Sequence, residues 1–570
     1  MESKVALLAS LCISFFAAIT PSLNAANSGV ATMTSKSKTA STSSTVATQL
    51  VTYPAGDGVE TLDDFTVEVR AAGSNDEWQP VAVYPVRVDE VRGVAHHVEV
   101  ASMAYFDFEG AVEVAVTYNR GDVDNVRIRP LSYGITASAE KTFSFTLTQP
   151  MNLSVEVNGD IFHNLHLFAN GLDANRPSNE TLRQWMKAQN GKSAGKQLKQ
   201  GNVKARRGSV ADLQGRQGEQ KNRQGTQWSQ TALALPQGGT SNLVYFAPGV
   251  HYLDGDTLRL YSNQTVYVDG GARVYGTLIA DSVNNVKIYG RGEIHPSGRG
   301  EGIYLKHSTN IEVDGVIVTQ APVGNCDTVL MTNVKAISYY GWGDGLNVFA
   351  SNNITYNRVF CRNSDDCSTI YATRKGFVGG CRNIVMKNAT LWADVAHPIM
   401  IGLHGNANPV ATNGDDSSAN YDTIEDVLYQ NVDILDHQER QLDYQGCMAI
   451  CCGDNNLVRN LTFENIRVED FRCGQLVNVR IVYNKKYCNA PGRGIDNVLF
   501  KNVTYTGGHS ELSVISGYDA TRKVSNVKFE NLVINGEKIS DDMPGKPKWY
   551  KTGDMGRIYI GEHVENVIFE

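Results

Sequence analysis

Two short strings, Tyr339-Tyr340-Gly341-Trp342-Gly343-Asp344-Gly345 and Asn363-Ser364-Asp365-Asp366-Cys367, hold the residues best suited by type and spacing to do chemistry. Asp344 and Asp365 lie 21 residues apart. If that interval is one coil of a stacked β fold, the three carboxylates share a patch, because neighbouring strands sit about 4.8 Å apart. Crowded carboxylates repel, and one of them is driven toward its protonated form. A general acid then stands beside an ionised base, the pair that glycosidic hydrolysis uses. Asp and Gly also build calcium sites and solvated turns, so spacing alone leaves those readings open. One coil further on, Ala396-His397-Pro398 could orient a carboxylate or a sugar hydroxyl, although a lone histidine is often structural. Gly402-Leu403-His404 follows it, and Asp436-His437-Gln438-Glu439-Arg440 and Tyr444 either line a groove or form a loop.

The elements that must position these residues are announced by a repeat. Asn285-Val286-Lys287-Ile288, Asn310-Ile311-Glu312-Val313 and Asn353-Ile354-Thr355-Tyr356 share an Asn followed by alternating apolar residues. Asn383 to Asn388, Asn460 to Asn465, Asn497 to Asn502 and Asn526 to Asn531 add a second Asn five residues on, and Asn566-Val567-Ile568-Phe569 repeats the start. Starts lie mostly 25 to 43 residues apart. A period of that size marks a solenoid, and the absence of helical periodicity leaves coils of short strands. Turn asparagines in successive coils would bond up and down a ladder. The expectation is an all-β chain: a right-handed parallel β-helix over residues 243–570, its groove suited to an extended polymer.

Ahead of the repeat, Phe65-Thr66-Val67-Glu68-Val69, Val112-Glu113-Val114-Ala115-Val116 and Thr142-Phe143-Ser144-Phe145 alternate with period two. Such strands, separated by Gly, Asn and Asp, read as a β-sandwich over residues 50–175. Residues 1–26 read as a secretory signal and 27–49 as a Ser/Thr-rich leader, so the protein is expected to be secreted, soluble and monomeric. The Gln-, Gly-, Lys- and Arg-rich stretch 176–242 reads as a disordered basic insertion, with Lys204-Ala205-Arg206-Arg207 either a processing site or a solvated tip.

Net charge is −8. The eleven Lys and Arg between Arg183 and Arg223 leave the rest of the chain about seventeen charges negative, which argues against nucleic acid as a partner. No later stretch is long and apolar enough for a membrane span. Nine of the ten cysteines lie between Cys326 and Cys488 without zinc-like spacing, so neither a metal nor another cofactor is expected. Some of the nine should form disulfides in an exported chain. The alternative, buried small apolar side chains, applies best to the adjacent Cys451 and Cys452.

From about Val244 onward the chain resembles the polygalacturonase-type glycoside hydrolases of family 28 and their clan relatives of family 49, the dextranases and isopullulanase. Family 28 carries an Asn-Thr-Asp motif, an Asp-Asp pair and a Gly-His-Gly motif in that order. Here Gly343-Asp344-Gly345 is similar to the first, with Trp342 and Gly343 in place of Asn-Thr. Asp365-Asp366 is similar to the second, and Ala396-His397-Pro398 to the third with both glycines lost. The resemblance implies an inverting hydrolase in which Asp365 protonates the leaving oxygen, Asp344 and Asp366 hold and deprotonate the attacking water, and His397 tunes the acid. The family 28 Arg-Ile-Lys string has only Arg480-Ile481-Val482 as a counterpart, with Lys485 close behind. An N-terminal sandwich and a Trp before the first Asp are features similar to family 49. Trp342, His404, Arg480 and Lys485 are the expected substrate-binding residues, and a polysaccharide is the expected partner. A polysaccharide lyase would need a basic cluster beside the acids, which the sequence does not display. A non-catalytic carbohydrate-binding solenoid leaves the acid cluster unexplained.

Overall fold

The structure, a computed structural model, describes residues 48–92, 95–192, 242–410, 419–508 and 510–570. The expected export signal, the leader up to residue 47 and the insertion beyond residue 192 lie outside them.

Alternation builds the first domain. In the strand Phe65–Ala71 the side chains of Phe65, Val67 and Val69 turn inward, and those between them face outward. It pairs antiparallel with Val112–Tyr118, which pairs with Thr142–Leu147. A six-stranded sheet lies opposite, centred on the long strand Ala95–Glu109, which pairs with Val83–Arg92 and Leu165–Gly171. Phe106, Leu153, Val155 and Leu167 from this sheet meet the inward residues of the other in one apolar cluster, which makes the domain a β-sandwich.

The second domain is a right-handed parallel β-helix, a 28-stranded ribbon whose strands pair with those one coil away. Coils stack in register because the same chemistry recurs at each level. Val286, Ile311, Val329, Ile354, Ile384, Val427, Leu461, Val498 and Val527 form one unbroken inward column. Two residues along, Tyr429, Phe463, Phe500, Phe529 and Phe569 stack with ring centres 4.8 to 5.5 Å apart.

The paired asparagines explain the sequence repeat. Asn383 and Asn388, or Asn460 and Asn465, sit at turns with φ near +55°, a left-handed conformation that Asn tolerates better than other non-glycine residues. Their amides bond to the coil before, as Asn383 does to Asn353 at 2.7 Å and Asn502 to Asn465 at 2.9 Å. The long step from Asn383 to Asn460 contains a coil that starts at Asp426, which has φ +57° and accepts the Asn460 amide at 3.1 Å. Asp supplies the acceptor there, so a search for Asn passes over the coil.

Two expectations need correction. Asn179–Lys192 is an α-helix within the stretch read as disordered. Ser178 caps it by accepting the Thr181 N–H at 3.1 Å. Trp185 anchors it: the indole N–H donates to Leu243 O at 3.0 Å, and the ring meets Tyr245 edge-on. The expected disulfides are likewise not found, since all nine cysteines among the described residues are free and eight are buried. Six of them, Cys326, Cys361, Cys367, Cys381, Cys447 and Cys452, lie in the core of the coils beside Val and Ile, where they serve as small apolar side chains.

The sandwich docks on the helix through Tyr84, Tyr105 and Phe168, which pack on Ile317, Ile337 and Phe360. Buried charge pairs stitch the same face. Arg291 reaches Asp107 at 2.9 Å, and Arg362, fully buried, holds Asp394 in a two-point grip at 2.8 and 3.1 Å while donating to Asn164 of the sandwich at 2.9 Å. Trp392 lies between the guanidinium groups of Arg129 and Arg362.

Candidate active site

One column of short strands, Leu346–Phe349, Ser368–Tyr371, Ile399–Ile401 and Met448–Cys452, carries the site. Leu346 pairs with Ser368 and Ser368 with Ile399, so the residues two positions earlier, Asp344, Asp366 and His397, stand one above another on successive coils. Asp365 precedes Asp366 directly. The expected quartet is therefore brought together, at the coil spacing of about 4.8 Å.

The two glycines around Asp344 have a steric cause. A Cβ on Gly343 would stand 2.2 Å from Ser364 Oγ, and one on Gly345 would stand 2.5 Å from Asn363 Oδ1. The next coil passes too close for any side chain. The turn before them is bent into a rarely used shape: Tyr340, Gly341 and Trp342 have φ of +63°, +55° and +51°. Each non-glycine residue in that state costs about 1–2 kcal/mol. The bend leaves Trp342 80% exposed beside the acids, over a cleft that Arg299, Glu301 and Lys375 also line.

Each carboxylate has a different environment. Asp366 is the most tightly held: Oδ1 faces the ring Nδ1 of His397 at 2.6 Å and accepts the His397 N–H at 3.3 Å, and Oδ2 accepts the Tyr371 hydroxyl at 3.0 Å. Asp344 accepts one bond, from the Asn347 amide at 2.7 Å, and Asn347 is held in turn by Thr369 at 2.8 Å. Burial and then the neighbouring Asp366 charge push the Asp344 carboxyl up to about 6, against the pull of Asn347, Arg374 and Lys375. Asp365 lies well above the ordinary carboxylate range, through burial first and then the charges of Asp344 and Asp366. It accepts the Asp366 N–H at 3.0 Å.

His397 sits between two acceptors, Asp366 and the Tyr444 carbonyl oxygen. Both ring nitrogens bond only if both carry protons. Burial alone would lower its pKa, but the Asp366 charge and hydrogen bond outweigh it and the net direction is upward. The imidazolium thus lies on Asp366, whereas the sequence reading has this ring tuning Asp365. His437, packed 5.7 Å away, is fixed in the neutral state: it donates to Ala396 O and accepts the Gly446 N–H. Ala396, where the resembled motif has glycine, takes φ of +63°.

The remaining expected residues are less central. His404 meets the Tyr371 ring edge-on at 4.9 Å, and burial holds its pKa down at about 3, so it is a neutral neighbour. Arg480 lies further along the column, bound to Asp443 at 3.4 Å, and Lys485 is exposed at a left-handed turn. Neither bonds to the three acids.

Sequence reasoning passed over Asn347, Thr369 and Tyr371, whose signal is a polar atom at an outward position of an otherwise apolar strand. It also passed over Arg374 and Lys375. Their cations lie over the rings of Tyr371 and Phe349 at 4.8 and 5.5 Å, without a salt bridge to any described residue. A basic pair therefore does stand beside the acids, contrary to expectation. Their loop follows the strand Ser368–Tyr371 directly, one coil above Asp344.

No protein-family model and no curated protein sequence matches the chain. Among solved structures it is similar to Dex49A from Penicillium minioluteum, at 13% identity and a TM-score of 0.47, covering 90% of this chain and 96% of that one. A family 28 exopolygalacturonase from Yersinia enterocolitica is similar at 10% identity and a TM-score of 0.39, over 80% of this chain and 96% of the other. The polygalacturonase from Erwinia carotovora ssp. carotovora gives 15% identity and a TM-score of 0.39, over 60% and 99%. Among the described residues no helix is long and apolar enough to cross a membrane, and no group of His, Cys, Asp and Glu is arranged to hold a metal ion.

Proposed function

We propose that the chain is a secreted, inverting glycoside hydrolase that cleaves a polysaccharide, with a uronate-containing polymer as the favoured substrate. The observation that carries this reading is the contrast between Asp344 and Asp365, neighbouring carboxyls that burial and mutual repulsion both raise, one of them much further. Asp365, whose carboxyl burial and the charges of Asp344 and Asp366 hold well above the ordinary range, serves as the general acid on the leaving oxygen. Asp344, with one oxygen free of protein hydrogen bonds, serves as the base that takes a proton from water. Asp366 has both oxygens engaged, so its part is to hold His397 and to raise its two neighbours, not to bind water.

The preference for an acidic polymer rests on Arg374 and Lys375, cations beside the acids that form no salt bridge with a carboxylate among the described residues. A neutral α-glucan is the second reading, favoured by the exposed Trp342, whose face suits a sugar ring of any charge. Release of reducing ends from polygalacturonate, rhamnogalacturonan, dextran and pullulan decides between them. Inertness toward all four points to a carbohydrate binder, and ultraviolet absorbance of an unsaturated uronate product points to a lyase.

Two expected results follow from the assignment. The profile of kcat/KM against pH is bell-shaped: activity falls below about pH 6 as Asp344 gains a proton, and falls again at high pH as Asp365 loses its own. A rate that keeps rising down to pH 4 would contradict Asp344 as the base. Proton NMR of fresh product shows the inverted anomer before mutarotation, whereas retention would mean a covalent intermediate and a different carboxylate pair.

A further inference from the structure

The turn that carries Trp342 and Asp344 belongs to the β-helix, yet several of its contacts come from the sandwich. Arg87 and Asp89 are two residues apart on the strand Val83–Arg92 and so face the same way, and His96 stands opposite Val91 on the paired strand. All three meet the turn. Arg87 donates to the Tyr339 hydroxyl at 2.8 Å and lies over its ring. Asp89 Oδ2 accepts the Gly341 N–H at 3.3 Å and faces His96 Nδ1 at 2.6 Å. The His96 ring packs edge-on against Tyr340, and a Cβ on Gly341 would stand 3.4 Å from its Nε2. From the helix side, Arg299 donates to Gly341 O at 2.9 Å and lies against both Tyr340 and Trp342.

The Asp89, His96 and Arg299 contacts fall on the residues whose backbone is left-handed, and the Arg87 contact falls on Tyr339 directly before them. Such a conformation persists only where its surroundings over-determine it, and released residues relax to the right-handed or extended regions. Relaxation would swing Trp342 away from the cleft and shift Asp344, two residues on. Asp89 itself is fully buried, with Oδ1 lacking a hydrogen-bond partner among the described residues. Burying a carboxylate with an unpaired oxygen costs stability, and a docking surface alone does not call for it.

We propose that the sandwich is a working part of the site: Arg87, Asp89 and His96 are positioning residues that clamp the turn Tyr339–Gly343, and through it set Asp344 and Trp342. The catalytic half of this proposal rests on the hydrolase reading; the clamp itself does not.

The test compares wild type, Asp89→Ala, Asp89→Asn and Arg87→Ala. Both bonds of Asp89 use one oxygen, so an asparagine that places its carbonyl there keeps them, and Asp89→Asn should behave as wild type. Hydrogen exchange of the peptide spanning residues 338–345 should quicken at least about tenfold in Asp89→Ala, as a local opening becomes easier, with the coils around it unchanged. On the polymer of the panel that wild type cleaves, kcat should fall about tenfold or more through misplacement of the base. The acidic limb of the pH profile should move down from about 6 as Asp344 leaves its buried place among Asp365, Asp366, Arg374 and Lys375. A general loss of stability would lower the amplitude without moving the limb. Unchanged exchange in Asp89→Ala overturns the clamp, and a loosened turn with kcat and limb unchanged overturns its positioning role. If Asp89→Ala does not fold, Arg87→Ala, at an exposed residue, carries the same comparison. An inert wild type overturns the hydrolase reading, and exchange then decides the clamp alone.

Discussion

Asp365→Asn abolishes most turnover while leaving the fold in place. The amide matches the carboxyl in size and can still accept the Asp366 N–H through its oxygen. It cannot deliver a proton to a leaving oxygen, and loss of a general acid costs about 10²- to 10⁴-fold in rate. Thermal unfolding should change little, or improve slightly, because a crowded acid is removed from beside Asp344 and Asp366. A substrate whose leaving group needs no protonation should be cleaved by the variant at a rate much closer to that of wild type. Near-normal activity on the natural polymer would remove Asp365 from the mechanism.

Asp394→Asn has the largest expected effect on stability. Arg362 is fully buried, and Asp394 is the carboxylate that grips it at two points. The substitution leaves that guanidinium without its facing charge, and breaking a buried pair from one side costs about 3–5 kcal/mol. The urea midpoint should fall accordingly, and it should fall for both domains, because the same arginine reaches Asn164 and His166 of the sandwich. Removing both charges together, in Arg362→Met with Asp394→Leu, should cost less than the single change. Arg472, bound to Asp394 and to Asp436, is the residue most able to soften the loss. A midpoint unchanged in the single variant would mean that the pair contributes nothing to the junction.

How much of this was legible in the sequence depends on the range of the interaction. The coils were readable because their cause is local: an Asn at each strand end and apolar residues between, repeated at every level. Where Asp426 does the same task the pattern broke, since the ladder needs an acceptor and not a particular letter. The acid cluster was readable for a related reason, as 22 residues make one coil here and bring Asp344 under Asp366, with Asp365 directly beside it. Partners set by the third dimension were not. The Asp366–His397 pairing depends on which of two adjacent acids points along the column, and that follows from the rotation of the turn. The Arg87 and Asp89 contacts span 252 residues and cross between domains, beyond any periodicity. Trp185 was hidden by composition: one of only two aromatics in the stretch 176–242, rich in Gln, Lys and Gly, it holds the helix to the first coil.

The asparagine ladder also bears on glycosylation. Asn353, Asn388, Asn460 and Asn502 each begin an Asn-x-Thr triplet, the acceptor signal for an N-linked glycan. In all four the amide nitrogen that would carry the sugar is already a donor to the coil before, at 3.2, 2.9, 3.1 and 2.9 Å. The side-chain oxygen is engaged as well, accepting the amide of the coil above, as Asn353 does from Asn383 and Asn388 from Asn431. A sugar on that nitrogen would have to fit between levels about 4.8 Å apart. A glycan at these four positions would therefore have to replace the second amide hydrogen and leave the ladder bond in place, which sets it in competition with the stacking of the coils. Asn179, exposed at the start of the helix, carries no ladder bond and has room for one.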